Sequence, residues 1–133
     1  MDFDVITLKL PAKPEYVLAI RLTTSALASR AGFDVDAIED IKVAVAEGCI
    51  AMMNQQRPAG SFDIKYKLHR GLSIQIVGEG EKSADTTLQE ANGEKEDQDD
   101  LSLFIIESLM DSASFQKEKG RILRIDMIKK TNE

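Results

Sequence analysis

Segments with a hydrophobic period of two occur in pairs in this chain, and this pairing constrains the fold more than any other feature. The two pairs are residues 62–68 with 72–76, and residues 114–118 with 122–128. Such alternation predicts strands with one buried face, and the short turns at Gly71 and Gly120 predict that each pair forms a hairpin. Hairpins favour a largely antiparallel sheet.

Helical spacing, with apolar residues three and four apart, is found in three other segments. The first begins at Pro14 and ends near Gly32. The second begins with a capping-box pattern led by Asp36 and runs to about Gln55. The third covers residues 99–110. Its residues expected to face inward are Leu101, Phe104, Ile105 and Leu109.

The order of these elements predicts the fold class. A strand over residues 5–10 precedes the first helix, so the order is β α α β β α β β. Because the helices occur in separate blocks, we expect them to pack on one face of the sheet. This arrangement is an α+β fold, in the form of a two-layer α/β sandwich. At 133 residues, the chain is expected to form a single domain over residues 1–133.

Negative charge is concentrated in one connecting segment. Residues 79–100 hold nine acidic and two basic side chains, whereas the rest of the chain holds 14 acidic and 15 basic ones. This segment is poor in large apolar residues, so residues 79–98 are expected to form an acidic, lid-like loop of unusual length. No basic stripe is present, which argues against direct binding of nucleic acid.

Several other classes of protein are excluded by composition. The N-terminus lacks the basic and apolar regions of a secretion signal. No apolar run reaches the roughly 18 residues of a membrane helix. The cytoplasm is therefore the expected location, without a membrane partner. With Cys49 and His69 as the only residues of their types, neither a zinc site nor a Cys–His nucleophile pair is available.

Few side chains suggest chemistry by themselves. Glu47 lies beside the apolar stripe of the second helix, where partial burial would suit a general base, but a boundary residue at the edge of the helix face is the simpler interpretation. Gly78 and Gly80 follow a strand and would let a ligand approach the backbone closely, although the start of a loop needs them too. Met52 and Met53 suit the core or its rim, with a partner surface as the alternative.

Two segments resemble a known family. They are residues 10–49, in particular Glu39-Asp40-Ile41-Lys42-Val43-Ala44-Val45-Ala46-Glu47-Gly48-Cys49, and Phe104-Ile105-Ile106-Glu107-Ser108-Leu109-Met110-Asp111. Together they resemble the bacterial anti-sigma factor serine kinases of the sigma-B regulatory type. These belong to the GHKL, or histidine kinase-like ATPase, superfamily. The resemblance implies a protein that binds a sigma factor and phosphorylates an antagonist protein with ATP and Mg²⁺.

The resemblance also implies where a nucleotide site would lie, and this chain departs from the family there. Glu47 matches the family's glutamate, but Ala51 stands where an asparagine holds Mg²⁺, and Asn54 is a poor substitute. Gly78 stands at the place of the aspartate that accepts the adenine amino group. Gly80 matches the glycine that follows it.

The second glycine-rich box of the family corresponds here to Asp99-Asp100-Leu101-Ser102-Leu103. Two carboxylates at a phosphate site would repel a nucleotide, and Asp99 and Asp100 are also suited to cap the third helix. Arg121 and Ile122 replace threonines that help to hold adenine in the family. No metal ligand and no cofactor are therefore expected.

Three functions remain open. The first is a regulatory protein that binds a sigma factor or its antagonist through the first helix, including Arg21, after loss of ATP binding and kinase activity. The second is a working serine kinase with an unconventional site, in which Glu47 is the base and acids of residues 79–100 hold Mg²⁺. The third is a domain that binds another ligand in a cleft lined by Ala51, Gly78 and Ile122. The resemblance further implies a homodimer.

Overall fold

The computed structural model describes residues 3–81 and 93–131, and for residues 93–99 it describes the backbone only. A short 3-10 turn, Pro14–Tyr16, leads into the first helix. The other elements are β1 (Asp4–Pro11), α1 (Val17–Arg30), α2 (Val35–Asn54), β2 (Ser61–Leu68), β3 (Gly71–Glu79), α3 (Gly93–Leu109), β4 (Ser112–Glu118) and β5 (Arg121–Lys130).

The strands form one five-stranded sheet in the order β1-β2-β3-β5-β4. Every neighbouring pair is antiparallel. The two predicted hairpins, β2 with β3 and β4 with β5, are both present, and the predicted α+β class is confirmed.

One face of the sheet is buried and the other is polar, as strand alternation requires. The fully buried strand residues are Phe62, Ile64, Tyr66, Leu72, Ile74, Ile76, Ile122, Ile125 and Met127. Those that the helices contribute to the same core include Ile20, Ala28, Ile41, Ala44, Val45, Cys49, Met52 and Ile106. On the open face, Gln75 donates to Asp126 and Lys9 lies 3.7 Å from Asp63. The two layers are therefore a sheet and a helical cover on one side.

The start of α2 corrects a prediction. Asp34, not Asp36, is the N-cap, and its Oδ1 accepts a 2.9 Å hydrogen bond from the backbone nitrogen of Ala37. Asp36 lies in the first turn, where its charge still complements the helix dipole. Both positions carry an aspartate, so the sequence pattern alone could not choose between them.

The predictions for α3 were wrong in two respects. The helix begins at Gly93 instead of near residue 99, so residues 93–98, predicted as loop, are helical. Its inward face was also misjudged in part: Leu109 packs against the core as predicted, but Leu101 and Phe104 are 57% and 65% exposed. The buried residues here are Ile106 of α3 and Met110 directly after it. Apolar residues of α3 lie on several sides of the helix, so hydrophobic periodicity did not determine which side faces α2.

The rest of the predicted acidic loop, residues 82–92, lies outside the described residues. None of the helices within the described ranges is long and apolar enough to cross a membrane.

A buried polar contact joins α1 to the sheet. The Tyr66 hydroxyl and Thr24 Oγ1 lie 2.7 Å apart, and Thr24 also donates to the carbonyl of Ile20. Burial raises the pKa of Tyr66 to about 12, and the hydrogen bond with Thr24 opposes that rise. Burial likewise raises the pKa of the Cys49 thiol to about 12. Both groups are therefore held neutral inside the core.

Candidate functional site

Glu47 lies on the fourth turn of α2, half-buried, on the side that faces α3. The hydroxyl of Ser102 on α3 donates to Glu47 Oε1 over 3.3 Å. Ser102 lies in the segment predicted to correspond to the family's glycine-rich box, and a glycine at its position could not make this contact. The structure thus brings together two predicted site residues, Glu47 and Ser102, and connects them directly.

Ala51 follows Glu47 by one helical turn, on the same side of α2. Its side chain is only 6% exposed and belongs to the core. A methyl group supplies no metal ligand. In the part of the chain that the structure describes, no cluster of three or more His, Cys, Asp or Glu side chains could hold a metal ion.

Gly78 lies near the end of β3, opposite Phe62 of β2. A Cβ at residue 78 would lie 2.9 Å from the Cβ of Ala59 and 3.4 Å from the sulfur of Met52. Real Cβ atoms do not approach other carbons that closely, so an aspartate here requires Ala59 to move. The space into which a side chain at residue 78 would project is occupied by Ala59 and by Met52, which is fully buried.

Gly80 is different, because it has a φ of +67° and a Cβ at this residue would have no atom within 4 Å. It therefore acts as a turn glycine after β3. Its carbonyl accepts a hydrogen bond from the guanidinium of Arg121, and Arg121 Nε also donates to the carbonyl of Arg57 at 2.9 Å. Arg57 in turn pairs with Glu81 at 3.0 Å. Arg121 thus connects, through hydrogen bonds, the loop after α2 and the loop after β3 at this end of the sheet.

Gln55, predicted only as the end of the second helix, is a central residue of this region. Its side chain is 5% exposed and makes two hydrogen bonds with the backbone of Ile122. The nitrogen of Ile122 donates to Oε1 at 2.8 Å, and Nε2 donates to the carbonyl at 3.2 Å. A polar residue just after a helix resembles a surface residue in sequence, and no local signal could have indicated a partner 67 residues away.

The predicted capping role of Asp99 and Asp100 is not supported, because α3 begins at Gly93, more than a turn before them. Asp100 is exposed within the helix, and the side chain of Asp99 is outside the described part. The segment predicted to be the second box therefore lies inside a helix and not at a helix N-terminus, where backbone N–H groups could bind phosphate.

Of the remaining predicted residues, Arg21 is exposed on α1 between two exposed leucines, Leu18 and Leu22. His69 is exposed, as predicted, and its ring lies 5.6 Å from that of Phe3. Met52 is core and Met53 is half-buried at the rim, also as predicted.

An antiparallel sheet covered on one face by helices, with a glutamate on the second helix directed at the third, defines the class of the histidine kinase-like ATPases. Residues 10–128 match the histidine kinase-like ATPase domain, and the chain belongs to this family. The resemblance to the anti-sigma factor serine kinases is confirmed.

Relatives of this chain are serine-protein kinases named RsbW. That of Listeria innocua is 37% identical, over 98% of this chain and 89% of its own length. That of Oceanobacillus iheyensis is 34% identical, over 90% of this chain and 83% of its length. That of Bacillus mycoides is 32% identical, over 89% and 81% respectively.

Proposed function

We propose that this protein is an anti-sigma-type regulator that acts by binding a sigma factor or its antagonist protein, and that it has lost ATP binding and serine kinase activity. Membership of the family and the RsbW relatives support the regulatory part of the proposal. The packing around Gly78 supports the loss of nucleotide binding.

One observation carries the proposal. The residues that the resemblance assigns to the nucleotide site are packed against or hydrogen-bonded to other residues of this chain. Gly78 is closed off by Ala59, Ile122 is fully buried and bonded to Gln55, and Glu47 accepts from Ser102. A nucleotide would have to displace these contacts before it could bind. The burial of Ala51 and Ile122 also weighs against a cleft for another ligand between them.

The expected energetic consequence is large. Each tenfold loss of affinity corresponds to about 1.4 kcal/mol, and a hydrogen bond to a charged group contributes roughly 1.5–3 kcal/mol. Without the metal ligand at Ala51 and the acceptor at Gly78, affinity for Mg-ATP falls by several orders of magnitude. Asp100 adds repulsion near the phosphates.

Isothermal titration with Mg-ATP tests the loss of nucleotide binding directly. We expect no saturable heat of binding below about 1 mM nucleotide, a dissociation constant that corresponds to a binding free energy of about −4 kcal/mol. The RsbW protein of Listeria innocua serves as the positive control. Micromolar binding by this chain would overturn the proposal.

The partner surface that we propose is the exposed side of α1. Arg21 offers a planar guanidinium suited to a carboxylate, and Leu18 and Leu22 beside it are 61% and 60% exposed. An exposed apolar pair around a cation is typical of a protein contact rather than of a solvated helix face.

Surface-immobilised sigma factor or antagonist from the same organism provides the binding test. We expect Arg21→Ala to weaken binding at least tenfold, which is about 1.4 kcal/mol. Lys65→Ala, an exposed cation on the opposite face of the sheet, is the matched control and should change affinity less than about twofold. Equal effects of the two variants would place the contact elsewhere.

The alternative is an active, ATP-dependent serine protein kinase with an unconventional nucleotide site, which the names of the relatives favour. Glu47 is half-buried and oriented by Ser102, a suitable arrangement for a general base. Transfer of labelled phosphate from ATP to the antagonist, abolished by Glu47→Gln, would establish this alternative. Absence of transfer, with the RsbW control active, would exclude it.

Two further properties belong to the proposal. We expect a cytoplasmic protein that forms a homodimer, since sigma factors act there and the family resemblance implies dimers. Light scattering after size exclusion distinguishes a species of about 29 kDa from the 14.7 kDa chain.

A further inference from the structure

The end of the sheet opposite to Glu47 and Gly78 contains an open groove of about 850 Å³. Gly71 at this end and Gly78 at the other are seven residues apart on β3, which is roughly 23 Å at the rise of a strand. The groove is therefore a separate site, and its role does not depend on the state of the nucleotide region.

Three elements bring cations to the groove. The end of α1 contributes Arg30, the β2–β3 turn contributes Arg70, and the end of β5 contributes Lys129 and Lys130. The turn lies directly on β5 because residue 71 is glycine: its φ is +130°, and a Cβ there would overlap the carbonyl oxygen of Lys129. The fold thus assembles cations that are distant in sequence.

Most of these cations are unpaired in the described part of the chain. Among the ion pairs there, none includes Arg30, Arg70 or Lys130. Lys129 is the exception, since its ammonium donates to the carbonyl of Leu109 at the end of α3. Three cations of this groove therefore have no ion-pair partner among the described residues.

The lining contains two carboxylates, which do not cancel this charge. Asp34 is engaged as the N-cap of α2 through Oδ1. Asp4 lies at the start of β1, on the same edge as Phe3. Four Lys and Arg residues and two Asp residues therefore line the groove, and one cation, Lys129, and one carboxylate, Asp34, each already have a backbone partner.

An apolar surface accompanies the cations. Phe3 is 43% exposed, and its ring is held by Lys67, whose ammonium lies 5.1 Å from the centroid, and by His69. Phe33 packs partly against the core and also lines the groove. The groove thus combines cations with aromatic faces.

We propose that this groove binds an acidic peptide segment of a partner protein. Its carboxylates would pair with Arg30, Arg70 and Lys130, and an apolar side chain between them would lie against Phe3 and Phe33. Guanidinium groups suit carboxylates because two parallel N–H donors match the two oxygens. The open shape suits an extended chain better than an enclosed small ligand.

The test uses a synthetic peptide of four Glu, one Leu and one Trp, because this chain has no tryptophan and the emission of the peptide can be followed directly. The same peptide with Gln in place of Glu is the matched control. We expect the Glu peptide to bind at least tenfold more tightly, with an affinity that falls as salt rises. Equal affinities would overturn the proposal.

Variants locate the binding. Arg30→Gln, Arg70→Gln and Lys130→Gln should each weaken the Glu peptide about threefold to tenfold, while Lys65→Gln on the open sheet face should have less than about a twofold effect. A loss with Lys65→Gln as large as with Arg70→Gln would mean general electrostatic attraction and would exclude the groove. Tighter binding of a hexauridylate than of the Glu peptide would overturn the proposal in favour of RNA. Circular dichroism confirms that each variant is folded.

Discussion

The two ends of the sheet use the same kinds of side chain in opposite ways. At the end that holds Glu47 and Gly78, the polar groups are bonded to one another, as Gln55 and Arg121 show. At the other end, Arg30 and Arg70 have no ionic partner among the described residues. Internal pairing, and not residue type, therefore separates the end whose polar groups are bonded to one another, which we term the closed region, from the end where Arg30 and Arg70 have no ionic partner among the described residues.

The largest expected effect comes from adding an aspartate at residue 78 in the closed region. Gly78→Asp introduces a Cβ that overlaps Ala59 and a carboxylate beside buried Met52. An uncompensated charge of this kind costs about 3–5 kcal/mol. We expect that loss in the free energy of unfolding, measured with urea.

Two controls accompany this variant. Gly80→Asp meets open space, so only its positive φ lowers stability, by about 1 kcal/mol. Ala59→Gly in the Gly78→Asp background removes the overlapping methyl group and should recover part of the loss. Full stability of Gly78→Asp alone would show that the closed region is able to open.

Alkaline pH should lower stability through two buried groups of the core, Cys49 and Tyr66. In each case the pKa is raised in the folded state, from 9.0 for Cys49 and 10.0 for Tyr66 to about 12. The unfolded chain therefore loses these protons first, and stability is full below pH 9 and falls above it. Each group contributes about 1.4 kcal/mol per pH unit.

Urea unfolding between about pH 8 and 11 measures this loss, which amounts to about 3–4 kcal/mol by about pH 11 for the two groups together. Cys49→Ala should delay the decline to about pH 10, whereas Tyr66→Phe should leave its onset at about pH 9 and reduce its slope above about pH 10. A decline that neither variant changes would mean that these two groups do not control it.

Gln55→Ala should destabilise the protein by about 2–3 kcal/mol. It removes two hydrogen bonds and leaves the N–H and C=O of Ile122 buried without these partners. Gln56→Ala, one residue on and exposed, is the matched control and should change the free energy of unfolding by less than about 0.5 kcal/mol. Similar values for the two would refute the structural role of Gln55.

The smallest effects are expected in the groove. Arg30→Gln, Arg70→Gln and Lys130→Gln should each alter the free energy of unfolding by no more than about 0.5 kcal/mol, since none of these side chains has an ionic partner among the described residues. Thermal unfolding followed by circular dichroism is sufficient to detect a departure. A loss above about 1 kcal/mol would reveal a stabilising contact and would weaken the contrast between the two ends.

The fold was more predictable than the site because alternation and glycine turns are local signals. The hairpins, the position of α2 and the surface location of His69 all followed from neighbouring residues. The start of α3 did not, because residues 93–98 are polar and their helical state has no apolar stripe to indicate it. The exposure of Leu101 and Phe104 was missed because apolar residues lie on several sides of α3.

The site required contacts between distant segments. Glu47, Gly78 and Ser102 could be singled out from the resemblance, yet nothing in the chain indicated that Ser102 bonds to Glu47 or that Ala59 fills the space beside Gly78. Gln55 was found only in the structure. A hydrogen bond depends on a distance in space, and the separation of its partners along the chain does not set that distance.

By itself, the sequence determined the α+β architecture and the family. Hydrophobic periodicity decides which face of each strand is buried, and so it determines the layers. Only the tertiary structure decided which polar groups are paired and which are left open. The cations of the groove, on α1, the β2–β3 turn and β5, become neighbours only because the sheet brings Gly71 against Lys129 and Lys130.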